Sequence, residues 1–115
     1  MVYDGNEVDF LTKYYKNTIV GYSFSKSLSL PGERIGYVVV PDEASDAEDL
    51  IRGIEISNRT LGFVNAPSLL QKAVARCLEE QTDVAFYDKN RTMLYEGLTK
   101  LGFTCIKTDG AFYLW

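Results

Sequence analysis

Tyr22-Ser23-Phe24-Ser25-Lys26-Ser27-Leu28-Ser29-Leu30-Pro31-Gly32-Glu33-Arg34-Ile35-Gly36-Tyr37 is the stretch on which the fold turns. Before it, the β-branched and aromatic run Thr18 to Ser23 favours a strand. Pro31-Gly32 is a turn dipeptide. After it, Arg34 to Val40 reads as a second strand, apolar enough to be expected buried on both faces, and Pro41 ends it. One amine, two hydroxyls and one guanidinium therefore fall close together at the end of a strand. That set suits a phosphorylated aldehyde: Lys26 bonds the aldehyde carbon, while Ser23, Ser25 and Arg34 hold the phosphate. Alternation along an extended chain would point the Ser23 and Ser25 hydroxyls to one side.

Such chemistry makes a demand on the lysine. Its amine reacts only when neutral, and an ordinary lysine, with a pKa of about 10.4, is rarely so. Burial or a neighbouring cation must lower that value. The Pro31-Gly32 turn can bring Arg34 back beside Lys26, supplying the cation and a two-pronged donor for a phosphate dianion. The same residues also suit a plain edge strand with solvated serines, lysine and arginine, and spacing alone leaves both readings open.

Outward from this stretch, residues 1–5, Met-Val-Tyr-Asp-Gly, read as the end of a strand and a turn. Residues 7–16 are expected to form a short helix with Phe10, Leu11 and Tyr14 on one side. Ser45 and Glu48 have the spacing of a capping box for a helix to about Asn58, with Leu50, Ile51 and Ile54 inward. A loop over 62–67 leads to a helical stretch from Ser68 to about Gln81. Thr82-Asp83 can cap a further helix through Tyr87, Arg91, Leu94, Tyr95 and Leu98, closed by Gly102. Short strands are expected over 103–107 and 111–115, joined by the Asp109-Gly110 turn. The chain stops within an apolar strand and begins without a first element, so both ends are expected to be internal to a longer protein.

Composition narrows the field. A length of 115 residues suits one core, and 46% hydrophobic with 24% charged residues is ordinary for a globular chain. A net charge of −4 disfavours nucleic acid or an anionic membrane as partner. No apolar run reaches membrane-span length, and no secretory signal opens the chain. Cys77 and Cys105 lie far apart and read as reduced thiols, so a cytoplasmic setting is expected. The chain has no histidine, which excludes a Ser-His-Asp or Cys-His triad and any zinc site built on imidazole. Acid–base work must fall to Lys, Tyr or a carboxylate.

The run Ser-Phe-Ser-Lys, a short loop, then Arg-Ile-Gly resembles the lysine segment of the class I/II, fold-type I aminotransferases, which use pyridoxal 5'-phosphate. The flanks agree: Val2-Tyr3-Asp4-Gly5 resembles the segment before the lysine strand, Asn65-Ala66-Pro67 the loop before the interdomain helix, and Gly110-Ala111-Phe112-Tyr113 a small-domain strand. The resemblance covers essentially the whole chain and is closest in pattern to aspartate aminotransferase-like members. It implies an α/β fold in which residues 1–66 are the C-terminal part of the cofactor-binding large domain, the end of a mostly parallel sheet. The Arg34 strand would be that sheet's antiparallel member. Residues 67–115 would be the interdomain helix and the start of an α+β small domain.

By the same resemblance, Lys26 would form the Schiff base and shuttle the substrate's α-proton, and Ser23, Ser25 and Arg34 would bind the cofactor phosphate. Gly36 would permit close approach in the strand after Arg34. Amino acid and 2-oxo acid would be the substrates, and the intact parent a homodimer. Arg59 lies one position from the arginine that binds a distal carboxylate in some members. A helix-end cation favoured by the dipole explains it as well. Lys89-Asn90-Arg91 reads as a solvated face, and Tyr87, Tyr95 and Leu98 as core.

Other parts of the family's site fall outside this chain: the partners of the pyridine nitrogen and phenolic oxygen upstream, and the substrate carboxylate clamp downstream. The isolated chain is therefore expected to be inactive. A lyase or decarboxylase of the same fold is an alternative for the parent. So is a non-catalytic aminotransferase-like sensor domain, though no DNA-binding helix-turn-helix accompanies it. Apolar strand edges left open would favour association with another copy.

Overall fold

The computed structural model describes residues 2–115, so the part of the first expected strand that falls on Met1 lies outside the described residues. The described residues form two compact units, one of residues 9–80 and one made of residues 2–8 with 81–115. No described helix is long and apolar enough to cross a membrane.

In the unit of residues 9–80 the centre is an antiparallel ribbon. Strand β1 (Val20–Ser23) pairs with β2 (Gly36–Val39), with Tyr22 opposite Tyr37 and Ser23 opposite Gly36. The stacked Tyr22 and Tyr37 rings, 5.1 Å apart, add a cross-strand aromatic pair on one face. β2 is exposed along its length, which corrects the expectation of a strand buried on both faces. Pairing continues for one bond beyond the strands, from the Phe24 amide to the Ile35 carbonyl at 3.1 Å. Below it sits a small core of Phe24, Ile35 and Val74, packed on by Leu28, Leu30, Ala66 and Leu70.

The first helical turn, α1 (Phe24–Ser27), follows β1 directly. Helix α2 (Ala47–Thr60) starts one residue later than a Ser45 cap would place it. Asp46 is the N-cap, left-handed at φ 57° and without a side-chain capping bond, while the Ser45 amide is taken by Asn17 Oδ1 at 2.9 Å. Leu50 and Ile51 remain exposed. Helix α3 (Ser68–Val74) is shorter than expected; after Val74 the chain closes in turns, with the Cys77 amide on the Val74 carbonyl. Before β1 only a 3-10 turn forms, Leu11–Lys13, instead of a helix over 7–16. Phe10, Leu11 and Tyr14 are exposed there, so no buried apolar face rewards a longer helix. Asp9 accepts from Lys13 Nζ and from the Tyr14 hydroxyl, both at 2.6 Å. These bonds hold its carboxyl below the usual range, and the second raises the Tyr14 hydroxyl.

The second unit is built around helix α4 (Val84–Lys100). Asp83 caps it by accepting from the Phe86 amide at 3.0 Å. At the other end Gly102 sits at φ 90°, its amide on the Thr99 carbonyl and the Phe103 amide on the Leu98 carbonyl. This is a Schellman closure, which requires the left-handed residue that glycine supplies without strain. The two strands expected after it do not form. One bond joins the Ile106 amide to the Trp115 carbonyl, and Gly110 bridges to Val2 instead.

Arg91 corrects the solvated-face reading of 89–91. It is 8% exposed and Tyr3 3%. Its guanidinium lies 4.3 Å from the Tyr3 ring centre and pairs with Asp88 at 2.6 Å and Asp4 at 3.0 Å. It also donates to the Thr108 carbonyl. Burial acts to lower the Arg91 pKa, but the hydrogen bonds and charges of Asp4 and Asp88 outweigh it and hold it above the ordinary value.

Candidate functional site

Lys26 stands on α1, the turn that leaves β1, with its side chain exposed. The turn exists because Ser23 ends the strand extended, at φ −130° and ψ 132°, and caps the helical residues after it. Its Oγ accepts from the Ser25 amide at 3.2 Å and donates to Ser25 Oγ at 2.9 Å. Ser25 itself is only 9% exposed. The two hydroxyls thus come together, but by capping rather than by alternation along a strand: Ser25 is helical, not extended. One residue past Lys26, the Ser27 Oγ is buried and has no hydrogen-bond partner among the described residues.

Arg34 is brought back towards this turn by the backbone, since Ile35 is the partner of Phe24. Its side chain donates to the Pro31 carbonyl at 3.0 Å and makes no bond to Ser23 or Ser25. Arg34 also has a left-handed backbone, φ 50°, a conformation that costs a non-glycine residue about 1–2 kcal/mol. Ser29, in the same loop, shares that strain at φ 55°.

Gly36 marks the closest approach in the ribbon: a Cβ there would run into the Tyr22 carbonyl oxygen. Ser23 and Gly36 line an open cleft of about 590 Å³ with Tyr22, Tyr37, Ile54 and Asn58. Arg59 sits in the last turn of α2, exposed and without a side-chain hydrogen bond or ion pair among the described residues. A cation there complements the carbonyl end of the helix.

The donor set fits a phosphate-bearing aldehyde. It offers one primary amine, two hydroxyls already converged, a third hydroxyl buried and unpaired, and a guanidinium with donors left over from Pro31. An unpaired buried hydroxyl costs about 1–3 kcal/mol, so Ser27 is a place where an outside acceptor would be welcome. Sequence alone does not single out the Ser27 hydroxyl, because nothing there distinguishes it from the neighbouring serines.

The family described as aminotransferase class I and II matches residues 1–115. The chain is 32% identical over 108 residues to a valine–pyruvate aminotransferase of Mycobacterium tuberculosis, covering 87% of this chain and 26% of that protein. It is 33% identical over 104 residues to a histidinol-phosphate aminotransferase of Geotalea daltonii, covering 87% of this chain and 27% of that one. Among solved structures, the crystal structure of an amino transferase from Eubacterium rectale superposes with a TM-score of 0.92 at 57% identity. That match takes in 98% of this chain and 28% of the other. The chain spans about a quarter of the length of the relatives it matches.

Proposed function

Because the chain belongs to the aminotransferase class I and II family, we propose that it is the lysine-bearing segment of a pyridoxal 5'-phosphate-dependent transaminase. The whole protein would move an amino group between an amino acid and a 2-oxo acid, as a homodimer. The observation that carries this reading is the Ser23–Ser25 hydroxyl pair, 2.9 Å apart, on the turn that presents Lys26. The division at residues 66 and 67 into large-domain and small-domain portions belongs to the same proposal, as does the place of β1 in a larger parallel sheet.

When bound, pyridoxal phosphate supplies an electron sink for the bonds at the substrate's α-carbon. The chain's own residues do the rest of their share. Lys26 Nζ would be the amine that holds the cofactor's aldehyde carbon and, as a free amine, would carry the substrate's α-proton. Ser23, Ser25 and the Arg34 guanidinium would hold the phosphate, the arginine as a charged fork. Gly36, by having no side chain, lets the ribbon close beside Ser23. Arg59, exposed in the last turn of α2, stays a candidate for a distal carboxylate of the substrate, beside its reading as a helix-end cation.

The test is covalent. Borohydride reduction of the longer protein in the presence of pyridoxal phosphate, followed by peptide mapping, should place the added mass on the Lys26 peptide. The same label surviving Lys26→Ala, or appearing on another lysine, overturns the assignment. The 115-residue chain given cofactor, amino acid and oxo acid should show no turnover, because ring activation and substrate positioning are separate requirements.

A further inference from the structure

Arg91 joins three stretches of chain that lie far apart in sequence. From α4 it takes Asp88; from the segment before the lysine strand it takes Asp4 and the face of Tyr3; from the loop after α4 it takes the Thr108 carbonyl. Tyr3 ties the same stretches a second time, its amide on the Asp109 carbonyl at 2.9 Å and its hydroxyl on the Ala111 carbonyl at 2.6 Å. A guanidinium so far removed from water is costly unless its charge is met, and here two carboxylates and the Thr108 carbonyl meet it. Asp4 and Asp88 are each about half exposed, so the arginine is the buried member on which the arrangement depends.

We propose that Arg91 is a clasp that holds the Val2–Asp4 segment on α4 and on the 108–111 loop. In the domain division proposed above, on which this part of the inference rests, Asp4 belongs to the large-domain portion and Arg91 to the small-domain portion. The clasp is then a latch between the two, made on the same strand-end segment whose chain runs on to Lys26. Lysine cannot replace it: a point charge cannot lie flat on Tyr3 while reaching Asp4, Asp88 and the Thr108 carbonyl together.

Amide hydrogen exchange on the full chain tests the clasp itself. Arg91→Met and Arg91→Lys should each speed exchange of the Tyr3 amide by about tenfold or more, with the β1 and β2 amides unmoved. Asp4→Asn should speed it less, by about threefold, and should add nothing in an Arg91→Met background, because both changes break one interaction. In the wild type about 1 M salt should speed Tyr3 exchange, since the carboxylates are half open to ions, and should have no such effect in Arg91→Met. An unchanged Tyr3 amide in Arg91→Met overturns the proposal, as does full rescue by lysine or effects of the two substitutions that multiply. If Arg91→Met loosens α4 as a whole, Asp4→Asn decides, because it leaves the Asp88 pair in place: a Tyr3 amide still fully protected there overturns the clasp. None of these readings depends on the cofactor, so a failure here is distinct from a failure of the Lys26 mapping.

Discussion

Gly36 lies so close beneath Tyr22 that a methyl group on it would overlap the Tyr22 carbonyl oxygen. The next residue of β1 is Ser23, which is the register partner of Gly36 and the cap of the lysine turn. Crowding at position 36 therefore reaches the candidate site within one residue. Gly36→Ala should destabilise the unit of residues 9–80 by about 1–3 kcal/mol, since the obstacle is backbone that cannot rotate away. Gly21 is the control: a Cβ there meets nothing within 4 Å, and Gly21→Ala should be close to neutral. Urea midpoints for the two variants check this, and equal midpoints would sink it.

Ser23 has two tasks, capping α1 and holding phosphate, and substitution can separate them. Ser23→Ala removes the acceptor of the Ser25 amide and should cost about 1 kcal/mol. Ser23→Asp restores a good cap but sets a carboxylate against a phosphate dianion. It should keep stability within about 0.5 kcal/mol of wild type while weakening cofactor binding by about tenfold or more in the longer protein. Cofactor affinity equal to wild type in Ser23→Asp would remove Ser23 from the phosphate grip.

Tyr3 gives a pH dependence whose sign is fixed by its surroundings. Burial raises its hydroxyl above the ordinary value of 10.0, against the opposing charge of Arg91 and with help from Asp88 and Tyr87. The folded state thus favours the neutral phenol. The resulting stability is present in full below the unfolded value of about 10 and is lost as pH rises from there through the folded value. Tyr3→Phe should cost about 1 kcal/mol near neutrality, from the lost bond to the Ala111 carbonyl. It should also flatten the fall in stability between about pH 8 and pH 11. Denaturant unfolding at the two pH values, compared between wild type and variant, measures both effects; parallel falls would contradict the second.

How much of this molecule can be read in its sequence depends on how local the deciding chemistry is. The two strands on either side of the lysine turn, the Asp83 cap and the Gly102 closure are written in neighbouring residues and form. The second strand, however, starts at Gly36 and leaves Arg34, expected within it, in a left-handed turn. The converging serines are legible too, though for a different reason: a capping turn, not a strand, brings Ser25 Oγ to Ser23. The helix over 7–16 and the strands over 103–107 and 111–115 rest on apolar pattern alone. That pattern forms structure only when something covers it, and Phe10, Leu11, Phe103 and Ile106 are exposed among the described residues. Arg91 is hidden by its charged neighbours Lys89 and Asp88. One signal is available: Arg91 falls four residues after Tyr87 and three before Leu94, on the apolar face of α4, where an arginine has to be explained by partners.

The two ends of α4 have a consequence for everything carried along it. Asp83 at one end and Gly102 at the other mark its start and stop with bonds made to neighbouring residues. The helix therefore works as a graduated ruler, on which each added residue is a rotation of about 100°. One residue inserted between Asp83 and Arg91 would leave both stops intact and the composition almost unchanged. Yet it would swing the guanidinium about a quarter-turn away from Asp4 and the Thr108 carbonyl, so α4 should tolerate many substitutions along its length and no change of count before position 91.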